Sequence, residues 1–175
     1  MAGNIKLNYS AASTTMTTTN LQSLASSQTW VAGWGSASVA NTSNLNFDYL
    51  IGATFTTHAS NRQTGIVEVW VIGSLNDTPT FFAPASGTAG TEGAISFTAR
   101  EQLLANGRLL QSFAVTSTAS QIYAIPETGI AQLFGGQCPT HWYLFVTGNA
   151  TTTTTAQFAS SGSAVYYTPV MAQYT

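Results

Sequence analysis

Apolar positions in this chain recur with a period of two over most of its length, the period with which side chains alternate between the faces of a strand. Residues 29–40 alternate Trp30, Ala32 and Trp34 against Val31, Gly33 and Gly35, and residues 47–57 bring Phe47, Tyr49, Ile51, Ala53 and Phe55 to one face. The strongest strand signal is 66–75, where Ile66, Val69, Trp70 and Val71 are β-branched or aromatic and Glu68 takes the polar side. Residues 108–116, 121–125, 141–147 and 164–174 complete the set. In 141–147, Trp142, Leu144 and Val146 oppose Tyr143 and Phe145. Pro169, inside the last segment, predicts an edge position or a bulge there.

Helical signals are brief. Asn20 is placed to cap a short helix over 21–27, with Leu21 and Leu24 on one side. Two further pieces are helix-compatible: 98–105, stopped by Asn106-Gly107, and 127–134, stopped by Gly135-Gly136. Asn76 to Pro79 is a turn by composition, 82–93 is a Gly/Ala/Pro/Thr loop, and 151–155 is a polar loop of threonines. Strands that do not alternate with full-length helices argue against βαβ units. The pattern predicts an all-β fold, an antiparallel β-sandwich of jelly-roll type with one or two short helices, filling 21–175 as a single domain. Residues 1–20 are polar, Thr-rich and without sustained period, and predict an extended N-terminal arm.

Composition changes the picture at the surface. The chain has 175 residues with four Lys+Arg and six Asp+Glu, against 28 Thr and 18 Ser. Ordinary domains are about a quarter charged, so this exterior is built of hydroxyls, amides and backbone. Little long-range repulsion keeps copies apart. That suits a chain whose surface is occupied by neighbours. Lys6, Arg62, Arg100 and Arg108 are the basic residues, no two adjacent, which argues against a nucleic-acid partner. Apolar runs fall well short of the roughly 20 residues that span a bilayer, and the N-terminal stretch lacks the apolar core of a secretory signal. The expectation is a chain made in a cytoplasm, with no membrane partner.

Candidate chemistry is sparse. Cys138 is the single cysteine, so no intrachain disulfide or cysteine-rich metal site forms. His58 and His141 are the histidines; a dyad of Cys138 and His141 competes with a plainer view of a small buried thiol and a strand-entry imidazole. Asp48 and Glu68 lie in strands where a shared face would pair them, as a glycosidase requires. Asn76, Asp77 and Thr78 offer oxygen ligands in a turn, where turn formation is the commoner role. Trp30, Trp34, Trp70 and Trp142 divide between a sugar-binding face and burial in a core or interface. The expectation is no catalytic set, no metal and no cofactor. Phe81 and Phe82 differ: flanked by Pro79 and Pro84, they are expected to point to opposite sides, so that one meets a partner.

Several segments carry a resemblance: Leu21-Gln-Ser-Leu-Ala-Ser-Ser, Ala32-Gly-Trp34, Asp48-Tyr-Leu50, Val67-Glu-Val-Trp-Val71, Leu133-Phe-Gly-Gly136, Trp142-Tyr-Leu-Phe-Val-Thr147 and Tyr166-Tyr-Thr-Pro-Val170. From about residue 20 to the C-terminus the chain resembles the capsid cement (decoration) proteins of tailed phages, virion structural proteins of jelly-roll type. The resemblance implies a non-enzymatic protein on the capsid surface of the virion, clamping major capsid protein subunits after assembly, often as a homotrimer. A tail, head-fibre or receptor/carbohydrate-binding β-sandwich module is the alternative. The expected interface draws on Asn4, Lys6, Tyr9 and Met16 of the arm and on Phe81 and Phe82. The arm is expected to lie along a neighbouring subunit, and removal of 2–18 to leave the sandwich folded.

Overall fold

A computed structural model describes residues 5–24, 27–60, 64–149, 157–159 and 161–174. Among the described residues eleven strands occur in chain order: β1 (Ile5–Tyr9), β2 (Thr14–Thr15), β3 (Ala32–Gly35), β4 (Val39–Ala40), β5 (Asp48–Thr56), β6 (Gly65–Ser74), β7 (Gly93–Ser96), β8 (Gly107–Val115), β9 (Ile122–Gly129), β10 (His141–Gly148) and β11 (Ala164–Tyr174). The same described residues hold one α-helix, α1 (Arg100–Asn106), and two 3-10 turns. The first sheet runs β1-β11-β5-β9, with β2 also on β11. The second runs β7-β3-β10-β6-β8, with β4 also on β10.

Pairings in both sheets are antiparallel. Setting aside the short additions β2, β4 and β7, the chain pairs as a long hairpin folded at its middle. β6 pairs β8, β5 pairs β9, β3 pairs β10 and β1 pairs β11. Rolling that hairpin so that alternate pairs fall in opposite sheets gives the jelly roll. The all-β sandwich predicted from the period of two is therefore the fold.

Tyr49, Ile51, Ala53 and Phe55 of β5 face Val67, Val69 and Val71 of β6 and Trp142, Leu144 and Val146 of β10 across the main core. A second apolar cluster lies on the far side of the second sheet. Trp70, Ile72, Tyr143 and Phe145 are covered there by Ile95, Phe97, Leu103 of α1, and partly by Phe81 and Phe82. β10 is thus buried along its whole length, on both faces, which is why 141–147 lacks a polar face. At Gly33, an added Cβ would run into the Val146 carbonyl and the Phe145 ring. Only glycine lets β3 and β10 approach so closely.

Several expectations are corrected. The predicted helix over 21–27 is a 3-10 turn, Leu21–Ser23, and Asn20 does not cap it with its side chain; the Asn20 amide donates to Glu92 Oε2 at 2.7 Å instead. Glu127 belongs to β9, leaving only Ala131–Phe134 as a 3-10 turn, closed by Gly135 at φ 72°. Phe47 precedes β5 and is exposed, its N–H bonded to the Val170 carbonyl. Residues 1–20 are not a free arm in their described part: β1 and β2 both pair with β11, and Met16 N–H bonds the Val165 carbonyl at 2.8 Å.

Pro169 occupies an interior strand, flanked by β1 and β5, not an edge. Its carbonyl accepts Ser10 N–H at 3.0 Å, so its nitrogen also points toward the N-terminal strand. There the chain detours. Tyr9 opposes Val170 and Thr14 opposes Tyr167, five steps of chain against three. The N–H that proline lacks falls where the neighbouring ladder is interrupted, so little pairing is lost.

Candidate interaction surface

The groups that carry chemistry are mostly tied to their own chain. Asp48 Oδ1 accepts the N–H of Tyr49 and of Ala131, at 2.8 and 2.7 Å. Glu68 Oε2 accepts from Arg100 at 2.6 Å and from Trp70 Nε1 at 2.8 Å. These two acids lie in different sheets and do not share a face. Glu92 takes three donors: Trp34 Nε1, Asn20 N–H and Asn20 Nδ2. Burial works against its charge, but the three hydrogen bonds outweigh burial and hold its pKa below the ordinary value.

Cys138 is half-buried and its thiol is pushed up to about 12, by desolvation first and then by the Asp48 charge. A thiol so raised is not a thiolate near neutral pH. His141 is buried, with Nδ1 3.2 Å from the Asn76 carbonyl oxygen. His58 Nδ1 accepts the Ser60 N–H in a turn. Thr80 and the Asn76 side chain bond each other within the 76–80 turn. Among the described residues no three His, Cys, Asp or Glu side chains converge on a metal position, and no helix is long and apolar enough to cross a membrane.

The tryptophans divide unevenly. Trp34, Trp70 and Trp142 are buried. Trp30 is half-buried at φ 60°, a backbone region that bulky residues rarely occupy. Its ring and that of Trp70 sandwich the Arg100 guanidinium, at 5.2 and 5.0 Å. With Glu68 beside it, Arg100 pins the start of α1 to β6. No signal in the spacing of 30, 68, 70 and 100 announces that cluster.

Of the expected interface residues, Asn4 lies outside the described residues. Lys6 and Tyr9 are exposed on β1. Met16 is only 8% exposed and packs in the main core, so its side chain offers a partner almost nothing. Phe81 and Phe82 are half-buried and pack on the same cluster. Phe81 meets Tyr143 edge-on at 4.9 Å, and Phe82 lies 6.3 Å from Phe97. The segment is not a strand, so neighbouring side chains need not diverge.

Among the described residues, what remains open is the β1 edge of the first sheet's far side. Tyr49 and Pro169 oppose each other on the core side. Asp48, Val170 and Tyr9, one residue along in register, therefore belong to the outer side, as do Leu7 and Ile5. Ile5, Leu7 and Tyr9 are 72%, 59% and 57% exposed. The detour after Tyr9 leaves a depression of about 590 Å³ lined by Tyr9, Ser10, Ser13, Leu50, Glu127 and Thr168. The row Ile5, Leu7, Tyr9 is itself a period-two signal, hidden by the threonines that follow it. No family model, curated protein or solved structure matches the chain.

Proposed function

We propose that this chain is a non-enzymatic structural protein of a tailed-phage virion, bound to the outside of the capsid, where it cements neighbouring major capsid protein subunits. Its partners in this reading are the major capsid protein and other copies of itself, grouped as trimers. The observation that carries the proposal is the fate of the charged groups. Asp48, Glu68, Glu92 and Arg100 are tied to the chain's own backbone and side chains, so that Lys6, Asp77, Glu101, Arg108 and Glu127 are the exposed charges among the described residues, on a jelly-roll body whose exterior is otherwise rich in hydroxyls and amides. Neutral hydrogen bonds weaken far less with salt than ion pairs do, which suits a clamp that must hold at any ionic strength. The resemblance of the segments from Leu21 to Val170 supports the same reading. Copy number per particle tests it: hundreds are expected, and a handful confined to the tail would overturn it.

A second reading, a receptor- or carbohydrate-binding module on a tail or head fibre, draws on the depression beside Tyr9. An exposed aromatic ring, several hydroxyls and the Glu127 carboxylate are groups that hold a sugar. Glycan binding abolished by both Tyr9→Ala and Glu127→Gln, in variants that remain folded, would favour it.

A further inference from the structure

The four sheet edges are not alike. β9 carries Pro126, and its register with β5 slips between Ile51 and Ala53. β8 carries Arg108 and a register slip opposite Val69 and Trp70. β7 has only four residues. Prolines, irregularities, charges and shortness are the means by which proteins keep edges from pairing. β1 has Lys6 alone. It pairs with β11 in unbroken register from Ile5 to Tyr9 and, among the described residues, no strand lies on its other side. All five of its residues are exposed.

The direction of its free backbone groups follows from a single bond. Ser10 N–H reaches the Pro169 carbonyl, and backbone groups alternate sides along an antiparallel strand. Asn8 and Lys6 therefore point their N–H and C=O at β11, whereas Tyr9, Leu7 and Ile5 point theirs outward.

We propose that β1 joins two copies of this chain edge to edge, antiparallel, with Leu7 opposite Leu7 of the second copy. That register sets Ile5 opposite Tyr9 and Lys6 opposite Asn8. All three outward-pointing residues then fall in hydrogen-bonded pairs, each pair exchanging two bonds. A shift by two toward the N-terminus would oppose Lys6 to Lys6, and like charges directly opposite destabilise. The reverse shift takes Ile5 out of the paired stretch. The centred register is the one that satisfies backbone and charge together. Its two-fold axis stands perpendicular to the sheet, so the outer faces of both copies look the same way and the Ile5, Leu7, Tyr9 rows merge. A two-fold contact leaves any three-fold grouping to other surfaces. It rests on the edge of the fold and stands or falls independently of the capsid reading.

Engineered cysteines in a full-length Cys138→Ala background test the register. In a hydrogen-bonded pair the Cα atoms lie about 5.5 Å apart, within disulfide reach, while the diagonal Lys6 pair lies about 7–8 Å apart. Under mild oxidation Leu7→Cys is expected to form dimers on the order of tenfold faster than Lys6→Cys. Equal rates, or no dimer from Leu7→Cys, would overturn the proposal. Leu7→Pro removes an N–H that β11 does not use, and Leu7→Lys sets two ammonium groups face to face. Both are expected to fold with unchanged circular dichroism and to lose the pairwise step seen for the wild type by sedimentation. Association unchanged in Leu7→Lys, or a wild type that is monomeric at its highest soluble concentration, would sink the idea.

Discussion

Three residues show what the fold demands at single positions. Gly33 leaves no room for a methyl group against the Val146 carbonyl and the Phe145 ring. Gly33→Ala is therefore expected to destabilise by about 1–3 kcal/mol, the usual cost of overpacking, in chemical denaturation. Tyr143 is fully buried, and its hydroxyl finds no partner among the described residues. An unpaired buried hydroxyl costs free energy, so Tyr143→Phe should melt no lower than the wild type; a large loss would mean the hydroxyl is paired. Glu92 supplies a pH signature. Its folded pKa lies below its ordinary value, so its contribution is fully present above the ordinary carboxylate pKa and is lost as pH falls through the lowered one. Glu92→Gln should flatten the dependence of Tm on pH across that acid range and leave it unchanged near neutrality.

Elements were legible in the sequence to the extent that one face was wet. The strand 164–174 has its predicted bounds, and 66–75 is displaced by a single residue in β6, because both alternate or are rich in β-branched residues. Phe47 misled, since a run of alternating aromatics does not say where the ladder ends. The segment 82–93 has no period, and nothing in it foretells that Phe81, Phe82 and Ala89 close a second cluster with Tyr143 and Phe145. The N-terminal stretch was the largest surprise, because 11–20 dilute the alternation of Ile5, Leu7 and Tyr9. Its two parts now carry different expectations. Removing 2–9 takes away an edge strand and should leave a cooperative, somewhat weakened fold. Removing 2–18 also takes Met16 out of the core, where loss of such a side chain costs about 2–5 kcal/mol. The second truncation should lower the denaturation midpoint well beyond the first, contrary to the idea of a dispensable arm.

For the whole molecule, the sequence conveyed class and surface chemistry better than it conveyed sites. Two of the clusters that tie down charge, Glu92 with Trp34 and Asn20, and Arg100 with Glu68, Trp30 and Trp70, join residues far apart in the chain. Only folding brings them together. If contacts between copies and with a lattice are made by neutral groups, association should change little between about 0.1 and 1 M salt, while the Debye length shrinks from about 10 to about 3 Å; a steep salt slope in sedimentation would contradict this. Among the described residues the two outer faces of the sandwich are also unequal: one is clad by 79–99 and α1, while on the other Ile5, Leu7 and Tyr9 stand exposed beside buried Thr168 and Val170. Such a molecule is a one-sided tile. Set on a particle with its first sheet down, it would show serum antibodies the loop-clad side, around Ala83 to Thr91, and hide Tyr9 and Leu7. The same antibodies, tried on free protein, would bind no better; antibodies raised against β1 would recognise only protein that has come off.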